Sequence, residues 1–199
     1  LTLLVVALAA PPPIGDYAVY VSDSWYEERQ KDLAKLKKRT ENAKEAVAKS
    51  GISAEVNGAY VEMASLSSTV GERAIYADLT LIGSELAANK FMREAVLDGA
   101  LFHSKTPALM LPASAKPTLA PKRILVAWDS SVEASRALSE CLSILKSADE
   151  VHVTMVDPDA SENKSGAEPG ADIAVYLARH GLKVIVDRVP RSGSAITDV

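Results

Sequence analysis

The side chains best placed to do chemistry in this 199-residue chain stand at the ends of apolar runs. Asp129 closes the run Arg123-Ile-Leu-Val-Ala-Trp-Asp129, directly before a helix-start pattern. A carboxylate there has two readings: it favours the positive end of a helix dipole and bonds local amides, or it accepts hydrogen bonds from a ligand. Arg191-Ser-Gly-Ser194 can hold an anion and equally forms a capping turn. Asp157 and Asp159 flank a proline after an apolar run, which makes them turn residues rather than a paired acid and base. His103, His152 and His180 lie far apart with no H-x-x-x-H or H-E-x-x-H spacing, so a metal site is not expected. The single cysteine, Cys141, falls on an apolar helical stripe without a basic neighbour, and we read it as a small buried hydrophobe. No Walker loop, G-x-S-x-G elbow or G-x-G-x-x-G occurs, and no catalytic constellation emerges.

The elements that must position these groups alternate between strand-length apolar runs and helical periodicity, the pattern of parallel sheets covered by helices. The fold class is therefore α/β. Thr2–Leu8 reads as a buried strand; its ten-residue apolar surroundings lack a positive leader and are too short to span a bilayer. Ser24-Trp-Tyr-Glu27 reads as a capping box for a helix ended by Gly51, with Leu33, Leu36, Thr40, Ala43 and Val47 along one face. Lys35, Lys37, Lys38 and Arg39 read as its solvated face, and Trp25 with Tyr26 as packing at its start. A strand over 52–60, a helix over 63–76 with Met63, Leu66, Val70 and Ala74 inward, a buried strand over 79–83, a helix over 90–102 and a strand over 108–111 follow. Residues 112–121 hold three prolines and read as a linker. Beyond it come a strand ending at Asp129, a capping box at Ser130-Ser-Val-Glu133, and a stripe of Ala134, Ala137, Leu138, Cys141, Leu142 and Leu145. Strands over 151–156 and 182–189, a helix over 172–180 stopped by Gly181, and a helix start at 194–199 complete the reading.

The two parts repeat one another. Leu1-Thr-Leu-Leu-Val-Val6 lies over Val151-His-Val-Thr-Met-Val156 at an offset of 150, and Ala48-Lys-Ser-Gly-Ile52 over Ala178-Arg-His-Gly-Leu182 at an offset of 130. The second copy has a strand and helix before its equivalent of Leu1. The first has strand, helix and strand after its equivalent of Val199. The chain is thus expected to carry the last four strands of one five-stranded unit and the first three of the next.

With these motifs in place, the chain resembles the universal stress protein family in its tandem two-domain form. The resemblance rests on Arg123-Ile-Leu-Val-Ala-Trp-Asp-Ser-Ser131 with its Ala- and Leu-rich helix, on the strand ending at Val156, and on Ala77-Asp-Leu-Thr-Leu-Ile-Gly83 and Thr106-Pro-Ala-Leu-Met-Leu-Pro112 as fourth and fifth strands. It implies two tandem doubly wound parallel-sheet domains of strand order 3-2-1-4-5, akin to the adenine nucleotide α-hydrolases. The first, over 1–113, lacks its first strand and helix; the second, over 122–199, lacks its fourth and fifth strands. The family's ATP-binding members use the Asp ending strand 1, backbone at the end of strand 2, and a loop G-x2-G-x9-G-[S/T] after strand 4. Carried onto this chain, these are Asp129 and Val156, with Ser130 and Ser131 beside Asp129, and Val6 and Gly83 as weaker counterparts in the first copy. The loop departs from the pattern: after Gly83 the next two glycine positions hold Leu86 and Val96, and Gly99 falls three residues late. The first copy is therefore not expected to hold ATP in this manner, and the second copy's loop would lie beyond Val199.

Hydrophobic residues at 48%, charged residues at 24% and a net charge of −4 exclude a disordered chain and a basic nucleic-acid surface. One cysteine suits a reducing cytoplasm and closes no intrachain disulfide. The resulting expectation is a cytoplasmic stress-response module that binds ATP, with Mg²⁺ accompanying it, in the second domain. It is non-enzymatic or weakly hydrolytic, with the two copies packed as an internal pseudo-dimer across fifth-strand edges and homodimerisation beyond that. No nucleic-acid or membrane partner is expected. The alternative is a nucleotide-independent scaffold of the same fold, and a third reading is a small-molecule enzyme of the α-hydrolase type.

Overall fold

A computed structural model describes residues 1–12, 23–114, 116–118, 120–158 and 168–191. The chain divides into two compact units, Leu1–Ala115 and Lys116–Val199. In the first, β1 (Thr2–Leu8) pairs in parallel with β2 (Glu55–Val61), Thr2 standing opposite Glu55 and Leu8 opposite Val61. Between them runs α1 (Asp23–Ser50), which already includes Ser24 in the helix rather than at its cap. Strand alternation turns Gly58 and Val61 to opposite faces of this pair. On one face, α1 lies so close that a methyl group on Gly58 would sit 2.8 Å from Thr40 Oγ1. On the other, Val61 joins Leu4, Val6 and Leu8 against a core of Leu66, Val70, Ile82 and Val96. Helices thus cover both faces, as an apolar parallel strand such as Thr2–Leu8 requires.

Leu66, Val70 and Ala74 come from α2 (Met63–Ala74), and all three are buried as their spacing predicts. Met63, expected inward as well, is exposed at the first residue of the helix. β3 (Thr80–Ile82) pairs in parallel with β4 (Ala108–Met110), Ile82 opposite Met110. Within β3 only Ile82 is buried; Leu81 is 57% exposed and Leu79, before the strand, is also exposed, which corrects the reading of 79–83 as a strand buried throughout. After β3 comes a short helix not expected from the sequence, α3 (Ser84–Ala88); the helix expected over 90–102 is α4 (Lys90–Asp98), capped by the Asn89 side chain, continued by a π-helical turn, Gly99–His103. Gly99 explains that turn's close seat, because a Cβ there would overlap the Ser67 carbonyl oxygen and lie 3.0 Å from Val70 Cβ. Thr106, buried behind it, donates its hydroxyl to the Ala74 carbonyl at 2.8 Å.

The second unit is a three-stranded parallel sheet in the order β5 (Arg123–Ala127), β6 (Glu150–Val156), β7 (Val184–Val189). One face is closed by α5 (Val132–Glu140), α6 (Leu142–Leu145) and α7 (Ala171–Arg179) through Leu138, Leu145, Ile173 and Leu177, packed on Val151 and Val153 of the central strand. Burying a side chain such as Leu177, fully enclosed here, contributes about 2–3 kcal/mol. Cys141 departs from its expected place in this core. The stripe breaks between α5 and α6 at Cys141, whose ψ of 1° leaves the helical path and turns the residue outward, so it is exposed. Desolvation by local packing and the adjacent Glu140 carboxylate nevertheless push its thiol pKa above the ordinary value.

The strand registers extend the sequence repeat. Offsets of 150 and 130 carry the pair Thr2↔Glu55 of β1–β2 onto His152↔Ile185 of β6–β7, which is the observed register of the second unit. The helix start expected at 194–199 lies outside the described residues.

Candidate functional site

Parallel strands gather their carboxyl ends at one edge of a sheet, and in the second unit that edge assembles the residues singled out from sequence. The β5–β6 pairing ends at Ala127↔Thr154, after which the Trp128 N–H donates to the Thr154 carbonyl at 2.9 Å. Asp129 stands two residues past the last pair on one strand and Val156 two past it on its neighbour. Backbone direction alternates along β6: Thr154 turns toward β5, whereas Asp157 donates its N–H to Val189 of β7 at 3.0 Å. Val156 therefore directs its peptide groups toward the β5 side, where the ladder has ended.

Asp129 is exposed, and its Oδ1 accepts the Ser131 N–H at 2.9 Å. Hydrogen bonds from the Ser131 side chain and backbone hold its carboxyl below the ordinary aspartate pKa, so it stays ionised. The cap of α5 is not the predicted one. Ser131, not Ser130, accepts the Ala134 N–H at 3.1 Å, and Ser130 instead adopts a left-handed backbone with φ of 63°. The chain needs this reversal to leave β5 and enter α5 within four residues. Asp157 also takes a positive φ, 44°, and its carboxylate accepts the Arg191 N–H at 3.0 Å, tying the end of β6 to the segment after β7. Two non-glycine residues in a sparsely populated backbone region thus follow adjacent strands at one edge. Sequence reading placed Asp157 in a turn without finding the bridge, because its partner is a backbone group 34 residues away. Asp159 and Ser192 to Ser194 lie outside the described residues.

The weaker candidates belong to the first unit. Val6 is a half-buried strand residue packed against that unit's core. Gly83 precedes the five-residue α3 in open space with φ of −68°, so nothing in its backbone requires glycine. Leu86 packs against the core, Val96 is buried in it, and Gly99 serves helix packing. None of these three is a phosphate-facing position.

Two polar groups have no local sequence signal. On the sheet face opposite α5 and α7, His152 Nδ1 lies 2.8 Å from Asp187 and its Nε2 lies 3.8 Å from Glu150, which in turn pairs with Lys183 at 2.5 Å. In the first unit, the Ser67 hydroxyl bonds Asp98, and His103 Nε2 lies 3.5 Å from the same carboxylate. Here the carboxylate bridges the other two, so the serine is not activated by the imidazole; the group clips α2 to the π-helical turn. Among the described residues no group of three or more His, Cys, Asp or Glu side chains could hold a metal ion, and no helix is long and apolar enough to cross a membrane.

These elements define an α/β protein with parallel sheets and one edge where strand ends, an ionised carboxylate and turned backbone meet. Its fold is that of a known structural class: a universal stress protein from Archaeoglobus fulgidus superposes with a TM-score of 0.52 at 21% sequence identity, covering 95% of this chain. The chain spans 66% of that protein's length. No protein-family model matches the sequence, and no curated protein matches it.

Proposed function

We propose that the chain is a universal-stress-type module, built as two tandem copies of a 3-2-1-4-5 sheet, that binds an adenine nucleotide at the carboxyl edge of β5 and β6 and signals through its bound state in the cytoplasm. The observation that carries this reading is the placement of Asp129 and Val156, each two residues past the end of the same ladder. An ionised, exposed carboxylate accepts hydroxyl or amine protons of a ribose or adenine, and the strand-end peptide of Val156 offers the donor and acceptor that an adenine edge needs. The order β5-β6-β7, with its repeated register, supports the tandem reading. ATP suits this edge through its base and sugar, and Mg²⁺ would accompany the phosphates; the described residues supply no glycine cradle for them. We expect binding, with at most weak hydrolysis, rather than turnover. β4 ends in an exposed Met110 and is the strand through which we expect copies to associate.

The test is direct. Protein purified without added nucleotide is denatured and its supernatant analysed for adenine nucleotides, and ATP is titrated against thermal unfolding. Retained nucleotide or an ATP-dependent rise in Tm is expected, with Asp129→Ala weakening the response at least tenfold. Absence of both in the wild-type chain would leave the scaffold reading in its place.

A further inference from the structure

β2 and β7 are counterparts in the repeat, and each pairs on one side only, β2 with β1 and β7 with β6. In the strand order 3-2-1-4-5 proposed for each copy, both are the outermost strand 3, so this free edge belongs to the complete fold. The two edges are protected differently. Strands that end a sheet commonly carry charge or proline that discourages further pairing. The offset of 130 sets Asp187, Arg188 and Pro190 of the second copy over Asn57, Gly58 and Tyr60 of the first. Arg188 also reaches the Pro169 carbonyl at 2.9 Å and Glu168 at 3.0 Å, which holds its side chain against the segment before α7. β2 has none of these guards: after Glu55 it reads Val-Asn-Gly-Ala-Tyr-Val61, without charge or proline.

The ladder fixes which backbone groups of β2 are free. Glu55 donates its N–H to Leu1 and Val61 accepts the Ala9 N–H, so the odd positions bond the β1 side. Alternation turns the N–H and C=O of Val56, Gly58 and Tyr60 to the open edge. The side chains of that set face α1. The Arg29 guanidinium lies over the Tyr60 ring, 5.3 Å from its centroid, and Gly58 lines a groove with Leu33, Leu36, Lys37 and Lys44 of the helix.

Positive charge along this groove is uncompensated. Lys31, Lys35, Arg39 and Lys49 of α1 pair with carboxylates. Arg29, Lys37, Lys38 and Lys44 have no carboxylate partner among the described residues, and all but Lys38 stand along the groove, where Glu41 is the one acid in the lining. Arg29 is held between the rings of Trp25 and Tyr60, and this cation–π contact positions the guanidinium without using its N–H donors. Eight residues of helix set Arg29 about 12 Å from Lys37 along the axis, with Leu33 and Leu36 between them. Residues four apart on one face of a strand are separated by about 13 Å.

We propose that the outer edge of β2 accepts an extended acidic segment of a partner protein, with the pattern acid-x-apolar-x-acid. Its main chain bonds Val56, Gly58 and Tyr60, its two acids meet Arg29 and Lys37, and its apolar residue covers Leu33. Such β-augmentation draws affinity from main-chain hydrogen bonds and specificity from alternate side chains. Here the specificity is for charge, because the groove offers unpaired cations at the spacing of the acids. The guarded edge of β7, with Arg188 and Asp187 in the strand, is not an acceptor of the same kind.

The experiment titrates the full chain, without nucleotide, with the blocked peptide Thr-Glu-Thr-Val-Thr-Glu-Thr and reads amide hydrogen exchange residue by residue. Exchange at Val56, Gly58 and Tyr60 is expected to slow, while Asn57 and Ala59, already bonded to β1, keep their rates. The same peptide with lysine in place of glutamate should have no effect. Lys37→Glu should weaken binding of the acidic peptide about fivefold, and Lys38→Glu, the same change of charge off the groove, should leave it within about twofold. Both side chains are exposed, so neither variant disturbs the core. Unaltered exchange, equal slowing by the lysine peptide, or equal weakening by the two variants overturns the proposal. Protection of Val56, Gly58 and Tyr60 that rises with chain concentration and resists the peptide also overturns it, by assigning the edge to a second copy. With nucleotide absent throughout, the outcome is independent of ATP binding at β5 and β6.

Discussion

Gly99→Ala should destabilise the first unit although it replaces glycine by the best helix former. Gly99 has helical φ of −58°, so alanine gains up to about 1 kcal/mol of backbone entropy. Against this, the new Cβ overlaps the Ser67 carbonyl oxygen, and it would lie 3.0 Å from Val70 Cβ and 3.2 Å from the Gly71 amide nitrogen. Two of these three neighbours are backbone, which cannot rotate away, so α2 and the π-helical turn must separate. Overpacking of this kind costs about 1–3 kcal/mol. The net loss of about 1–2 kcal/mol corresponds to a fall in Tm of roughly 5–10 °C for a unit of this size. Gly83→Ala is the paired control: with nothing within 4 Å of the added methyl, it should stay within about 0.5 kcal/mol of wild type. Thermal and urea unfolding of the three proteins decide the matter. A Gly99→Ala protein as stable as wild type, or a Gly83→Ala protein equally damaged, would refute the assignment of Gly99 to packing and reopen a ligand role for the glycines of this segment.

Further outcomes follow from other contacts. Leu177→Ala, which empties a fully buried site between α7 and β6, should lower stability by about 2–5 kcal/mol in urea titrations. Thr106→Val removes the hydroxyl donor to the Ala74 carbonyl and should cost about 1 kcal/mol, less than a core cavity because Ala77 N–H still serves that carbonyl. The carboxyl of Asp129 has a folded pKa below its ordinary 3.8, so its contribution is present above that pH and is lost as pH falls through the folded value; Asp129→Asn should lose that contribution at neutral pH and flatten the acid limb of a stability–pH curve below about pH 4. Cys141, exposed but with a raised thiol pKa, should react with iodoacetamide at pH 7.5 more slowly than free cysteine does.

Apolar periodicity made most elements readable in advance. Thr2–Leu8 and the burial of Leu66, Val70 and Ala74 follow directly from runs and spacings, because the hydrophobic effect acts on pattern alone. The errors arose where backbone geometry overrode pattern. The helical stripe through Cys141 gave no warning of a break, and Ser130 and Ser131 are interchangeable as caps until the left-handed turn at Ser130 selects the second. The helix expected over 90–102 starts where the Asn89 side chain caps it but changes to a π-helical turn at Gly99, which admits a tighter seat, and the short α3 before it was not expected. The edge itself was partly visible: Asp129 closes an obvious run, and Val156 entered through likeness to a family. The Asp157 bridge and the His152–Asp187 pair, 34 and 35 residues apart in sequence, exist only through strand register.

The central claim is that an adenine nucleotide binds at the ends of β5 and β6. Amide hydrogen exchange of the full chain with and without saturating ATP tests it most directly. The account predicts slowed exchange at residues 128–131 and 156–157, lost in Asp129→Ala at the same ATP concentration. Exchange unchanged at these positions, or protection confined to other segments, would contradict it.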